Sequence, residues 1–448
     1  MQQHKELKRI RHETGELIQR KPPELASLEE LSLTPTGKPA VQGAEWEAVL
    51  KPFSPSVYAP LAYRLSIWFS PEYPLFPPHF RFRSAVFSHF HVLDTGELDE
   101  YFYHVLNWDG QKHLREALAL VCSLFYGVLP VSGEASQFSK QISHQQQHIE
   151  EVVRHRISSI VRYQPIHSDL FQENPSWKRQ WFDPLFYECL QQGDLQASLE
   201  RLLKVEVPDK VYSFPMFSQN FCCTLLEELR SFEKSGLPRT RPNSMNNYGL
   251  ILNDIGLERL FDSLLRNYLR PIAAARFSKF GGDTIDHHHT FMVQYMEGQD
   301  LSLDMHSDDS EVTFNVNLYD NFTGSGLAFC GLHAKKDARK HAMTYKHEVG
   351  RCVIHAGRLR HGALPIESGQ RYNLIIWTRS CIFRNNHPTC PCCKKKKQAA
   401  ARTPELTPDA VCLSRTHDPD YEHWAQLIRD ETRPVKFVKS NTGHAMYE

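Results

Sequence analysis

The sequence predicts an α+β protein of several domains, and three observations lead there. At 448 residues the chain exceeds what one ordinary core accommodates. Segments of helical period and segments of strand period fall in separate blocks along it. The mix of 41% hydrophobic and 23% charged residues is that of a globular protein. Lys+Arg and Asp+Glu are both 52, so there is no basic excess of the kind a general nucleic-acid or membrane-surface binder carries. No apolar run reaches the ~20 residues that span a bilayer, and the charged start "MQQHKELKRIRHETGEL" has no signal-peptide core. The 11 cysteines are therefore expected as reduced thiols in an intracellular protein, cytoplasmic or nuclear.

The elements follow in order. Residues 5–20 place Leu7, Ile10, Leu17 and Ile18 at helical spacing, and "KPP" ends that helix. From Trp46 to Phe87 the pattern turns strand-like, with "YRLSIWFS" alternating and bounded by proline. "HLREALALVCSLFYGVL" (113–129) returns to helical period. Residues 132–160 are polar and helix-compatible, and 171–205 hold helical segments rich in Leu and Trp. Helices and then strands fill 206–385. The final stretch, from about 386, is basic and proline-bearing.

Chemistry concentrates in the strand-rich block. "EVTFNVNLY" alternates strictly: Val312, Phe314, Val316 and Leu318 face one way, Thr313, Asn315, Asn317 and Tyr319 the other. A polar row at that period suggests a strand lining a wet pocket. Just before it stands His306-Ser307-Asp308. "HEVGRCVIHAGRLRHGALPIESGQRYNLIIWTRS" then reads as strand, turn, strand, with His361 followed ten residues later by Arg371. Two histidines and one carboxylate on one metal face leave positions open, the arrangement of non-haem Fe(II) oxygenases. A nearby arginine suits the far carboxylate of a 2-oxoglutarate co-substrate. His355 is read as a pocket or core histidine. Arg351, Arg360 and Arg379 are read as surface or neighbouring charges, and "DHHHT" (286–290) as a polar entry to a strand.

This set resembles the 2-oxoglutarate- and Fe(II)-dependent dioxygenases of the prolyl/lysyl-hydroxylase-like branch, over roughly residues 205–395. The resemblance implies a double-stranded β-helix (jelly roll), with iron held by His306, Asp308 and His361. It also implies 2-oxoglutarate on Arg371 with help from Tyr295, O2 as co-substrate, and use of L-ascorbate. The implied activity is hydroxylation of a protein side chain, prolyl or lysyl, with release of succinate and CO2.

The first 130 residues resemble the ubiquitin-conjugating fold. Tyr73-Pro74, Pro77-Pro78, Phe80 to Phe82 and "NWDG" (107–110) carry the likeness. In this pattern the thioester cysteine position falls at about Asp99, so the resemblance implies an inactive variant. Cys122, on the stripe Leu114, Leu118, Val121, Leu124 and Phe125, is read as a core thiol. Cys390-x-x-Cys393, with Cys381, His387 and Cys392, invites a zinc reading, against a default of free thiols. "KKKK" (394–397) reads as a solvated charge run. The expected layout is 1–130 ubiquitin-conjugating-like, 131–205 helical connector, 206–385 dioxygenase (core 287–382) and 386–448 tail. A non-catalytic ubiquitin-pathway binding protein with a degenerate jelly roll is the alternative.

Overall fold

The computed structural model describes residues 2–19, 23–35, 44–84, 87–89, 91–92, 96–127, 129, 136–173, 175–191, 195–243, 245–333 and 335–386. His387, Cys390, Cys392, Cys393 and the lysine run lie outside them. The chain divides into two units, Met1–Arg162 and Tyr163–Glu448. Among the described residues no helix is long and apolar enough to cross a membrane.

In unit 1, helix α1 (Gln2–Gln19) precedes an antiparallel meander of β1 (Leu28–Pro35), β2 (Ala44–Pro52), β3 (Tyr63–Phe69) and β4 (His79–Phe82). β1 lies ahead of the stretch where the sequence pattern turns strand-like. Then come α2 (Glu100–Leu106), α3 (Leu114–Ser123) and α4 (Ser136–Arg162). The core joins Leu65 and Ile67 of β3 to Leu114, Leu118, Val121 and Cys122 of α3. Val153 and Ile157 of α4 belong to the same core. The boundary between units thus falls at Arg162, inside the segment expected as a connector. The amphipathic face of α4, set by the i, i+4 pair Val153 and Ile157, decides this. Cys122 is buried, as its helical stripe predicts. Asp99 caps α2: its Oδ1 accepts from Phe102 N at 2.9 Å, and its Oδ2 lies 3.0 Å from His91 Nδ1.

Unit 2 opens with α5 (Pro184–Gln191), α6 (Leu195–Leu202), β5 (Lys204–Val207), β6 (Val211–Pro215) and α7 (Gln219–Lys234). Glu228 of α7 is fully buried and accepts hydrogen bonds from Tyr163 Oη and, at 2.7 Å, from His167 N. This anchors the first residues of the unit. β7 (Gly249–Ile251), α8 (Glu258–Leu264), α9 (Arg270–Phe277) and β8 (His287–Met296) follow. The remaining strands are β9 (Leu303–His306), β10 (Val312–Asn317), β11 (Phe322–Gly324), β12 (Leu327–Leu332), β13 (Met343–Tyr345), β14 (Arg351–Ala356), β15 (Leu359–Ala363) and β16 (Ile366–Arg379). A short helix, α10 (Cys381–Asn386), closes the described part.

These strands form two antiparallel sheets. The larger has eight strands in the order β5-β6-β14-β10-β16-β8-β7, with β11 also paired to β16; the smaller runs β13-β12-β15-β9. Side-chain alternation gives the larger sheet two distinct faces. Val312, Phe314, Val316, Ile354, Leu374 and Ile376 pack with residues of α5, α7, α8 and α9 in the main core. The opposite face, with Thr313, Asn315, Arg371, Ile375 and Trp377, lines a pocket whose other wall is the smaller sheet. The sequence expectation of strand, turn, strand across 347–380 is corrected here. The first part splits at Gly357 and Arg358 into β14 in the large sheet and β15 in the small one. β5, β6 and β7 join the large sheet from outside the stretch in which strands were expected.

Candidate metal centre

His306 ends β9 and Asp308 follows in the turn toward β10, while His361 stands at the middle of β15. β9 and β15 pair antiparallel with His306 directly opposite His361. Residues 55 apart in sequence therefore become cross-strand neighbours on one face, with ring centroids 4.3 Å apart. Asp308 Oδ1 lies 3.3 Å from His306 Nε2 and 3.5 Å from His361 Nε2. One ligand atom from each residue falls within 4.8 Å of the others, and all three residues are buried.

The hydrogen bonds orient this set. His306 Nδ1 is 2.7 Å from Asp304 O, and His361 Nδ1 is 2.8 Å from Leu359 O. A carbonyl only accepts, so each Nδ1 carries a proton, and each Nε2 is the ring atom left to meet a metal. Thr313 Oγ1 donates to Asp308 Oδ2 at 2.6 Å and receives support from Ser310 Oγ at 2.7 Å. Burial lowers the His361 pKa to about 3 against the pull of Asp308, so the imidazole is neutral at pH 7. Burial opposes ionisation of Asp308, but the attraction that His361 and His306 exert in their protonated forms outweighs it, so the carboxyl titrates below its usual range. A carboxylate and two imidazole Nε2 atoms, held by outer hydrogen bonds, is a donor set that fits a divalent first-row metal.

His355 of β14 is also fully buried, with its Nδ1 2.9 Å from Ala356 O and its Nε2 4.0 Å from Asp308 Oδ2. It packs behind His361 at a centroid distance of 4.4 Å and falls outside the three-residue cluster. The "DHHHT" histidines diverge: His287 meets Asp286, His288 meets Thr290, and His289 meets Pro242 O. Arg351 donates to Ser213, and Arg379 to Asp309.

The pocket beside the cluster encloses ≈ 410 Å³ measured out to its mouth. Arg371 lines it from β16, directly opposite Tyr295 of β8, and its guanidinium carbon sits 5.0 Å from the Tyr295 ring centroid. Both are almost completely buried. Burial brings Arg371 down to about 10, which still leaves it charged at pH 7. Burial pushes the Tyr295 phenol up, so it stays protonated. Arg371 has no carboxylate partner among the described residues; it donates to Asn373, Ser325 and His347. Sequence reasoning missed Ser325, His347 and Asn246, which donates to Tyr295 Oη at 3.1 Å. The polar row did signal Thr313 and Asn315, both on the pocket wall. Tyr319 leaves that row: the strand ends at Asn317, and Tyr319 packs instead on Tyr372 and the Arg230 guanidinium.

Fold and cluster together define a β-sheet protein with a candidate mononuclear metal centre between two sheets. Comparison with known proteins specifies it further. The family model for ubiquitin-conjugating enzymes matches residues 5–157, and the OGFOD2-like domain model matches residues 159–282. A human protein, "2-oxoglutarate and iron-dependent oxygenase domain-containing protein 2", is 40% identical over 224 residues, 50% of this chain and 61% of that protein. The zebrafish (Danio rerio) protein of the same name is 37% identical over 269 residues, 58% of this chain and 77% of that one. A more distant relative is the "Procollagen lysyl hydroxylase and glycosyltransferase" of Acanthamoeba polyphaga mimivirus, 26% identical over 242 residues, 51% of this chain and 25% of that protein. The chain belongs to the family of 2-oxoglutarate and iron-dependent oxygenase domain-containing protein 2, with a domain of the ubiquitin-conjugating type at its N-terminal end. It spans about three fifths of the length of the human relative it matches.

Proposed function

We propose that unit 2 is a dioxygenase dependent on Fe(II) and 2-oxoglutarate, built on a double-stranded β-helix, that hydroxylates a protein side chain of prolyl or lysyl type. The observation that carries this reading is the pairing of two features in one pocket. A buried two-histidine, one-carboxylate cluster stands beside a buried, charged Arg371 that lacks an acidic partner among the described residues. A buried cation without a counter-ion is costly, and a carboxylate ligand relieves that cost.

His306, Asp308 and His361 would hold the iron, leaving positions open for ligands. Iron with 2-oxoglutarate and O2 supplies the oxidising power that places a hydroxyl on an unactivated C–H bond, with succinate and CO2 leaving; ascorbate belongs to this reading as the agent that keeps the metal reduced. Thr313 steadies Asp308, and the backbone carbonyls of residues 304 and 359 fix the imidazole tautomers. Arg371 and Tyr295 take the far carboxylate of 2-oxoglutarate. Phe291, Trp377, Ile375, Val293 and Leu303 give the remaining wall an apolar lining that excludes water from the site.

Unit 1 would then serve recruitment. Its one cysteine among residues 1–162, Cys122, is buried in the helix core, so no thiolate is available for ubiquitin transfer. The reading for unit 1 is a non-catalytic module that binds a ubiquitin-pathway partner.

Anaerobic titration with Fe(II) and then 2-oxoglutarate tests the centre through the visible metal-to-ligand charge-transfer band. The band is expected in the wild type, lost in His306→Ala, and shifted to at least tenfold higher 2-oxoglutarate in Arg371→Ala, about 1.4 kcal/mol or more. A folded wild-type protein without the band would turn the reading toward a purely binding role.

A further inference from the structure

A guanidinium has five N–H donors and no acceptor. In Arg371 the Nε donates to Asn373 Oδ1 at 2.8 Å, and Nη1 donates to Ser325 O at 2.7 Å and Ser325 Oγ at 2.9 Å. Nη2 donates to His347 Nε2 at 2.8 Å. Every one of these acceptors is uncharged. They occupy four of the five donors and leave one Nη2 N–H for a ligand. Tyr295 contributes a second donor: its oxygen accepts from Asn246, which leaves its O–H to give.

His347 comes from the loop after β13 and stands apart from both sheets' strands. Because Nη2 can only donate, the Nε2 it meets is bare, and His347 is a neutral imidazole protonated on Nδ1. Burial, joined by the Arg371 charge, holds its pKa well below the ordinary histidine value. Among the described residues it meets Arg371, the Tyr345 ring and Asn373, whose Nδ2 is itself a donor and at 3.4 Å makes no hydrogen bond to the protonated Nδ1; none of the three is acidic. An acidic side chain here would neutralise Arg371; a neutral acceptor holds the guanidinium in place and leaves its charge unspent.

We infer that His347 is a positioning residue for the anion end of the pocket. As a neutral acceptor it fixes the plane of the Arg371 guanidinium, so that an incoming carboxylate meets one pre-aimed Nη2 N–H beside the Tyr295 hydroxyl. This rests on the proposed 2-oxoglutarate site and assigns a further residue to it.

Equilibrium binding of 2-oxoglutarate to the Fe(II)-loaded protein under anaerobic conditions tests it, in the wild type, His347→Leu and His347→Gln. His347→Leu is expected to weaken 2-oxoglutarate binding about tenfold, the loss of one orienting hydrogen bond, while Fe(II) affinity measured without 2-oxoglutarate stays unchanged. His347→Gln keeps an acceptor and is expected to bind within about threefold of wild type. Unchanged binding in His347→Leu, equal weakening in both variants, or a parallel loss of Fe(II) affinity overturns the inference and leaves the proposed site standing. A wild-type protein that binds Fe(II) but no 2-oxoglutarate overturns both.

Discussion

At the scale of single residues, the candidate centre depends on groups that never touch the metal position. Thr313 Oγ1 donates to Asp308 Oδ2, the oxygen turned away from His306 and His361. This leaves Oδ1 toward the cluster and holds the carboxylate in one rotamer. Removing that donor in Thr313→Val is expected to weaken Fe(II) or Mn(II) binding by roughly tenfold, with thermal stability little changed. Thr313→Ser should retain most of the affinity. Titration calorimetry with Mn(II) distinguishes the two, and equal affinities in wild type and Thr313→Val would remove Thr313 from the site. Thr313 was visible in sequence as part of a polar row, because strand alternation is a local property. Ser325, Asn246 and His347 carried no such signal, since each comes from a loop to meet Arg371 or Tyr295.

At the scale of elements, β16 does the most to place the site. Its odd positions, Arg371, Asn373, Ile375 and Trp377, face the pocket side, while Tyr372, Leu374 and Ile376 sit in the main core. Two residues before Arg371, Gly369 pairs with Phe322 of β11. There φ is +79°, and an added Cβ would lie 2.0 Å from Asn321 O in the partner strand region. The Gln370 N–H donates to that same carbonyl at 2.9 Å. Gly369→Ala therefore combines a left-handed backbone with a clash against main chain. A loss of about 2–3 kcal/mol in urea unfolding is expected, together with weaker 2-oxoglutarate binding as Arg371 shifts. Wild-type stability in this variant would show that the strand relaxes freely at this point and that Arg371 is held in place without Gly369.

At the scale of the molecule, each unit has its own core and its own buried titratable groups. In unit 1, His89 is buried with Nε2 3.1 Å from Gly127 O. Burial, helped by the neighbouring His91, lowers its pKa to about 4. In the unfolded chain a histidine titrates near 6.5. Between those values the unfolded state binds a proton that the folded state refuses, so stability is full above about pH 6.5 and falls as pH drops toward 4. The loss reaches roughly 3 kcal/mol at most, from the two-and-a-half-unit difference. Urea unfolding by tryptophan fluorescence at pH 7 and pH 5 should show a smaller pH dependence in His89→Phe than in wild type. Equal dependence would mean that His89 reaches solvent at low cost.

The sequence by itself determined the local facts: which residues alternate on β10, that His306 and Asp308 stand just before it, and that a helix of period 3.6 carries Cys122 inward. Such facts follow from backbone geometry over a few residues. Only the tertiary structure decided that 351–363 divides between two sheets, that β15 pairs with β9 to set His361 against His306, and that α4 packs into unit 1. It alone brought Ser325 and His347 onto Arg371. Periodicity states which side chains share a face. Which strands pair, and which loop covers a buried charge, depends on contacts dozens of residues apart, where the burial of whole faces outweighs local preference.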